Sequence, residues 1–430
     1  MQRRHFVVAA TAGVMSAGLA LWFRAHGREP RENRRTSPLV RDPKGVLDLW
    51  PGFSYQVVER FGGKMTDGYR VPGRPDAMGC FPLGKNRWAL MRNHELDRGG
   101  MAYGPYFQES AIPKEAYDRD CPGGVTRVVL DHKGRRVSSN LVLVGTARNC
   151  AGGMSPWGFL TCEENVDEGH GYVFLCSTEA ESVRQPRRIP AYGRMFHEAV
   201  AIDPVTHTAY LTEDRGDGCL YRFVPEHRDD PFGAGKLQAM GIAGSARFKV
   251  ADNMERHQPL PIVWIDVPHE AGEKGDGLRS EAQAKGAAIV RRGEGIWFAD
   301  DGVFFTSTTG GPSGNGQILH VALAALNRGA TIDMLSVIAQ SEDEHTLQMP
   351  DNLTVTPWGD LMVCEDNQRD AFLRIVTRTG RVLPFAHNIL SASELAGVCF
   401  SPDGSLMFVN IQENGLTLSI SGPWDTLRSV

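Results

Sequence analysis

The chain has 430 residues, 41% hydrophobic and 23% charged, and its 46 Lys and Arg nearly balance 51 Asp and Glu for a net charge of −5. That balance leaves no polybasic face for nucleic acid, and the apolar share is ordinary for a globular protein. The length points to two or three domains unless the fold repeats.

Residues 1–27 open with Arg3-Arg4-His5 ahead of an uncharged stretch from Phe6 to Phe23, the pattern of a twin-arginine export signal. A membrane anchor is the rival reading, because the stretch is at the lower edge of a spanning helix. The expected destination is therefore the periplasm or beyond, reached through the twin-arginine translocation machinery, with anchoring if the segment is retained. Residues 28–43 read as a linker, and 44–430 as a single domain. The eight cysteines permit disulfides in an oxidising compartment, but none forms a CxxC pair, so a zinc knuckle is not expected.

Six short hairpins then follow in order: Trp88–Glu95, Pro156–Asn165, Thr206–Arg215, Asp301–Gly310, Trp358–Asn367 and Asp403–Asn414. Each closes in an acidic or hydroxyl-rich loop, and five of the six carry Glu there. Alternating apolar segments, Val125–Leu130, Gly171–Cys176, Gly218–Phe223, Gly316–Val321 and Ala371–Val376, read as the outer strands between them. Strand, turn, strand, loop, strand is the grammar of a propeller blade. The expected fold is all-β, a six-bladed β-propeller with short helical insertions, monomeric because its edges are protected. The larger insertion, between Pro225 and Arg291, contains a helix-favouring run at Glu281–Ala288. The smaller one, Asp97–Cys121, is placed to cap one face.

The start of each inner strand carries a second polar station: Asp76, Cys150, Glu198, Glu294, Asp351 and Glu394. In an antiparallel hairpin the first strand's start and the second strand's end lie together, so both stations of every unit face the same way. Around a ring they would converge near the axis, as a metal cluster requires. Of the adjacent Glu163 and Glu164 only one can point inward, and Glu164 is the choice, with Glu163 a neighbouring group. Glu213-Asp214-Arg215 is open to a plain surface ion pair as well as to a ligand role. Arg292 and Glu294, two apart on an extended segment, share a face and offer a cation fork beside a carboxylate, which suits an anion held against a metal. Many carboxylates with little histidine favour Ca²⁺, Mg²⁺, Mn²⁺ or Fe³⁺, and the one thiolate points to iron. No GxSxG elbow and no Gly-rich phosphate loop opening a helix is present.

Taken together, RNCAGG, PWGFLTCEEN, HEAVAID, LTEDRGDGCLYRF, RRGEGIWF, MPDNLTVTPWGDLMVCEDN and ELAGVCFSPDGSLMFVNIQ closely resemble the PhoX-type alkaline phosphatases, from about Pro43 to the C-terminus. The resemblance implies an enzyme that hydrolyses small phosphomonoesters outside the cytoplasm. Its implied cofactor is two ferric ions and up to three calcium ions, bridged by an oxo group and a cysteine thiolate. By the same resemblance Cys150 is the bridging thiolate, and Glu164, Glu198, Glu213, Glu294 and Asp351 are iron or calcium ligands, joined by Glu95 and Asp214. Arg292 becomes the phosphate-holding arginine; a second such arginine is not placed. Asp76 and Glu413 are open to the plainer reading of solvated loop residues. The alternatives are a calcium-dependent lactonase or phytase-like propeller, and a non-catalytic calcium-stabilised binding propeller.

Overall fold

Short alternating segments broken by Gly and Pro become strands, and successive strands joined by tight turns pair antiparallel. The structure, a computed structural model, describes residues 38–428 apart from 85, 257, 270–274, 328 and 344–345. The export segment and most of the linker lie outside the described residues. Leu39–Val430 forms one unit.

Blade 1 runs Pro75–Pro82, Arg87–His94, Gly123–Asp131, Arg136–Thr146. Blade 2 follows with Asn149–Ser155, Gly158–Glu163, Val173–Cys176 and Arg187–Ile189. Blade 3 has His197–Ile202, Ala209–Glu213, Leu220–Pro225 and Gly235–Ile242, and blade 4 has Gly293–Ala299, Gly302–Ser307, Gln317–Ala322 and Met334–Gln340. Blade 5 is built from Pro350–Val355, Leu361–Glu365, Phe372–Val376 and Val382–Asn388. Blade 6 combines Leu395–Phe400, Met407–Ile411 and Leu416–Ser421 with the N-terminal strand Ser54–Arg60, which pairs with Leu416–Ser421.

Hydrogen bonding divides these strands into five sheets rather than six. Blades 3 and 4 share a nine-stranded sheet because the long insertion contributes Leu260–Asp266, which pairs with the outer strands of both. The inner strands still close a ring, each against the next, with Leu395–Phe400 returning to Pro75–Pro82. The same insertion carries the helix Leu278–Ala284, over part of the predicted run.

Apolar side chains fill the wedges between blades, such as Leu160, Val200, Leu211 and Tyr221 between blades 2 and 3, or Met362, Phe385, Val409 and Ile420 between blades 5 and 6. Each such side chain contributes about 1.5–3 kcal/mol by leaving water. Where inner strands cross closest only glycine fits: a Cβ on Gly153 would lie 1.8 Å from the Val200 carbonyl oxygen. The seam between first and last blades is tied by fully buried Arg92. Its guanidinium donates to Thr126 Oγ1 (3.2 Å) in its own blade and to Glu59 Oε2 and Thr417 Oγ1 (both 2.7 Å) in blade 6.

Candidate metal centre at the channel mouth

One irregularity recurs around the ring and builds the site. In blade 1 the pairing Pro75↔His94 is followed by Met78↔Arg92, three residues on the inner strand against two on its partner. The same bulge follows Asn149↔Glu163, His197↔Glu213, Gly293↔Ser307 and Pro350↔Glu365, and in blade 6 it comes one residue later, after Ala396↔Asn410. A bulge bends the strand and re-aims a side chain. The bulged residues of the first five blades begin with Asp76, Cys150, Glu198, Glu294 and Asp351.

These residues meet. Ligand atoms of Asp76, Glu95 and Cys150 lie within 4.8 Å of one another, as do those of Cys150, Glu164 and Glu198, and those of Glu198, Glu294 and Asp351. Shared Cys150 and Glu198 make the three groups one continuous polar seam. Both Glu198 oxygens and Asp76 Oδ1 are buried with no hydrogen-bond partner among the described residues. Burial pushes the carboxyl groups of Asp76, Glu198, Glu294 and Asp351 well above the usual carboxylate range, and the neighbouring acids push them further. Glu164 is raised to about 8 by burial, opposed by the Arg148 guanidinium. Burial, and then Glu198 and Asp76, raise the Cys150 thiol. Buried carboxylates this close, with oxygens left unpaired, are stable as anions only beside cations. The donor set, oxygens plus one sulfur, therefore fits bound metal ions.

Strand parity decides which acid of each closing loop reaches the seam. Residues paired with the inner strand's start, Glu163, Glu213 and Glu365, point into the blades. Glu163 accepts from Ala147 N (3.0 Å) and Gly171 N (2.9 Å), and Glu365 is held by Arg374 (2.8 Å) and Gln348 N (2.8 Å). Glu213, expected as a ligand, accepts from Tyr221 Oη (3.0 Å) and Cys219 N (3.1 Å) beside Arg279. It belongs to none of the three groups, because its position matches that of Glu163 rather than Glu164. The next residues along, Glu95, Glu164, Asp214, Asp366 and Gln412, turn to the channel mouth. Asp76, open to a reading as a solvated loop residue, is instead buried at the seam, where Gln412 donates to its Oδ2 at 2.6 Å. Glu413 stays at the surface in an ion pair with Arg74 (2.8 Å).

Arg292 forks onto Asp214 (2.9 and 3.2 Å) and reaches Glu294 (2.7 Å), with Asp366 at 3.8 Å. Arg148 binds Glu164 (2.7 Å) and approaches Glu95 (3.4 Å) and Asp97 (3.8 Å). Sequence reasoning did not single out Arg148, yet the repeat marks its position. Arg74, Arg148 and Arg292 each stand two residues before Asp76, Cys150 and Glu294, and each turns into the inner strand at positive φ (43°, 51° and 44°). Glu394 and Asp366 also border the seam; burial and then Asp351 raise the Glu394 carboxyl. The smaller insertion leaves this mouth, where Leu96 accepts from Arg148 N (2.9 Å), and folds back onto Val144 and Gly145. Below the seam the channel turns apolar, with a cavity of about 460 Å³ lined by Met154, Phe159, Trp297, Leu353 and Val398.

A family described as alkaline phosphatase PhoX matches residues 34–141 and 133–415. The chain belongs to the PhoX alkaline phosphatase family. Among solved structures, PhoX of Pseudomonas fluorescens in complex with vanadate, a transition-state analogue, superposes with a TM-score of 0.65 at 18% identity, covering 88% of this chain and 96% of that one. A gluconolactonase from Xanthomonas campestris reaches a TM-score of 0.45 at 11% identity, covering 90% of this chain and 99% of that chain. The curated proteins contain no match by sequence. The PhoX likeness shows the propeller fold, and the family makes the chain a phosphoric monoester hydrolase with small phosphomonoesters as its substrate class.

Proposed function

We propose that the seam at the channel mouth is the active centre of an exported phosphatase that uses iron and calcium to hydrolyse phosphomonoesters. The observation that carries this is the pair of unpartnered Glu198 oxygens between a thiol and further carboxylates, flanked by two arginines. Cys150 with Asp76, Glu95, Glu164 and Glu198 would hold iron, since a thiolate among carboxylates selects it over calcium. Glu198, Glu294 and Asp351 offer only oxygens, which suits calcium. When bound, such ions neutralise phosphate charge and activate an oxygen nucleophile.

The chain's own residues do the rest. Bulges in the inner strands fix the donors, so little reorganisation accompanies the reaction. Arg292 and Arg148 each pair with carboxylates at the mouth, and their side chains remain 29% and 38% exposed. A phosphoryl group docking there takes over part of those hydrogen bonds as a charge-assisted fork. Arg3-Arg4 and the uncharged stretch after it support export, and the propeller architecture, which leaves only short blade edges, supports a monomer.

The test is metal analysis with activity. The purified protein should contain iron and calcium and hydrolyse an aryl phosphate, while Cys150→Ala should lose iron and activity together. A fully active Cys150→Ala protein, or wild type active without iron, overturns the assignment.

A further inference from the structure

A second group of ligand-bearing side chains lies outside the central seam, behind blade 2. Asp118 and Cys121 come from the loop that leads into Gly123–Asp131, and His170 from the loop after Gly158–Glu163. Their ligand atoms lie within 4.8 Å of one another. We propose that Asp118, Cys121 and His170 form a separate site for a divalent transition metal, zinc by preference, in addition to the central metals.

The geometry is close to that of a zinc ion with an open position. Cys121 Sγ is 3.9 Å from His170 Nε2, which is 3.4 Å from Asp118 Oδ2. Tetrahedral zinc with bonds of about 2.0–2.3 Å sets its ligand atoms roughly 3.3–3.6 Å apart, so the His170–Asp118 pair already has that spacing and the thiol, within 4.8 Å of both partners, has to close in. The mixed sulfur, nitrogen and oxygen set disfavours calcium and magnesium, which take oxygen ligands. Cys121 and His170 are buried, while the Asp118 side chain is 25% exposed and gives water a route to the fourth position.

The surroundings orient these donors. His170 Nδ1 lies 2.6 Å from Glu163 Oε1, and Glu163 is itself fixed by the Ala147 and Gly171 amides. This is the carboxylate–histidine arrangement that places the ring proton on Nδ1 and leaves the Nε2 lone pair for a metal. The Tyr117 ring stands edge-on to the imidazole at 5.4 Å. Asp120 N donates to Asp118 Oδ1 (2.9 Å), which turns Oδ2 toward the histidine. Arg98 also lies against Asp118 Oδ2; its side chain is 42% exposed and can withdraw into water when an ion arrives. The competing arrangement is a protonated His170 bridging Asp118 and Glu163 with no metal.

Intact protein dialysed against zinc and then freed of excess should hold about one zinc per chain that Cys121→Ser and His170→Ala lose, while their iron and calcium stay at wild-type levels. Cobalt(II) should give a thiolate charge-transfer band that persists in Cys150→Ser and vanishes in Cys121→Ser. Glu163→Gln should weaken zinc binding about 10–100-fold. Equal zinc in wild type and Cys121→Ser, or a cobalt band that depends on Cys150 alone, overturns the proposal. Should the variants misfold, zinc must slow alkylation of Cys121 in the wild-type chain, measured by peptide mass spectrometry. Equal labelling with and without zinc refutes the site.

Discussion

Replacing Arg92 by Met should open the propeller at its seam. The guanidinium makes three buried hydrogen bonds, one to the Glu59 carboxylate and two to hydroxyls, and two of the three cross from blade 1 to blade 6. Breaking a buried ion pair from one side costs about 3–5 kcal/mol, because the remaining charge is left uncompensated. Glu59 keeps Arg136 (2.8 Å) and Ser139 (2.6 Å), so the lower figure, about 3 kcal/mol, applies. With unfolding entropy of about 2.1 cal/mol/K per residue, a unit the size of Leu39–Val430 changes by roughly 0.8 kcal/mol per kelvin, so Tm should fall by about 4 °C. The assay is urea and thermal unfolding at one fixed metal concentration, since bound ions add stability by mass action. The double variant Glu59→Gln, Arg92→Met should recover part of the loss, because no fully buried charge is then stranded; Arg136, the other partner of Glu59, is 37% exposed. Burial raises the Glu59 carboxyl, but Arg92 and the hydrogen bonds from Ser139 and Arg136 outweigh it and hold the group below its usual value. That stability is present above the unfolded carboxyl pKa and disappears as pH falls through the folded one, so Arg92→Met should flatten the wild type's acid-side loss. A loss under about 1 kcal/mol for Arg92→Met, or a double variant no better than the single one, would refute the seam argument.

Four further outcomes are expected. Asp214→Asn and Asp366→Asn should lower metal content or activity at little cost in stability, whereas Glu213→Gln and Glu365→Gln should leave the metals in place; metal loss from the second pair would contradict the parity assignment. Arg292→Ala and Arg148→Ala should each lower kcat/KM about 10–150-fold, from about 1.5–3 kcal/mol per charged hydrogen bond, mainly through KM; unchanged steady-state kinetics would remove that residue from substrate binding. Chelator-treated protein should lose stability as pH rises from 5 to 9, while metal-loaded protein should not. The sign follows from folded carboxyl pKa values above the unfolded ones, Glu164 at about 8 among them: such groups favour the fold below the unfolded pKa and cease to as pH passes the folded value. A flat profile for the metal-free protein in thermal scans counts against mutual repulsion in the seam. Asp76→Asn should reduce bound metal, measured by elemental analysis, and full occupancy would return Asp76 to a structural role.

Much of the fold was legible because its signals are local. Hairpins such as Pro156–Asn165 and Trp358–Asn367 carry their apolar alternation and turn residues within ten positions, and both form as read. The merging of blades 3 and 4 was not legible, since Leu260–Asp266 sits in an insertion whose partners are about twenty-five and seventy-five residues away. In the candidate site, Cys150, Glu198, Glu294 and Asp351 were singled out from their place at the strand starts, and the structure brings their ligand atoms together. Glu213 lies inside its blade rather than in the seam, and two adjacent acids look equivalent until the register says which faces the axis. Aligning the repeats by register would have favoured Asp214 over Glu213, paired Asp366 with it, and exposed Arg148 beside Arg292.

By itself the sequence determined the strand periodicity, the recurrence of polar residues at both ends of each hairpin and the motifs that mark the family, because these are properties of neighbouring residues. The tertiary structure decided which of those residues meet. One extra residue in the inner strands of the first five blades turns a side chain toward the axis, ring closure brings Asp76 beside Cys150 and Glu198 beside Asp351, and neither the bulge nor the closure can be counted without the partner strand.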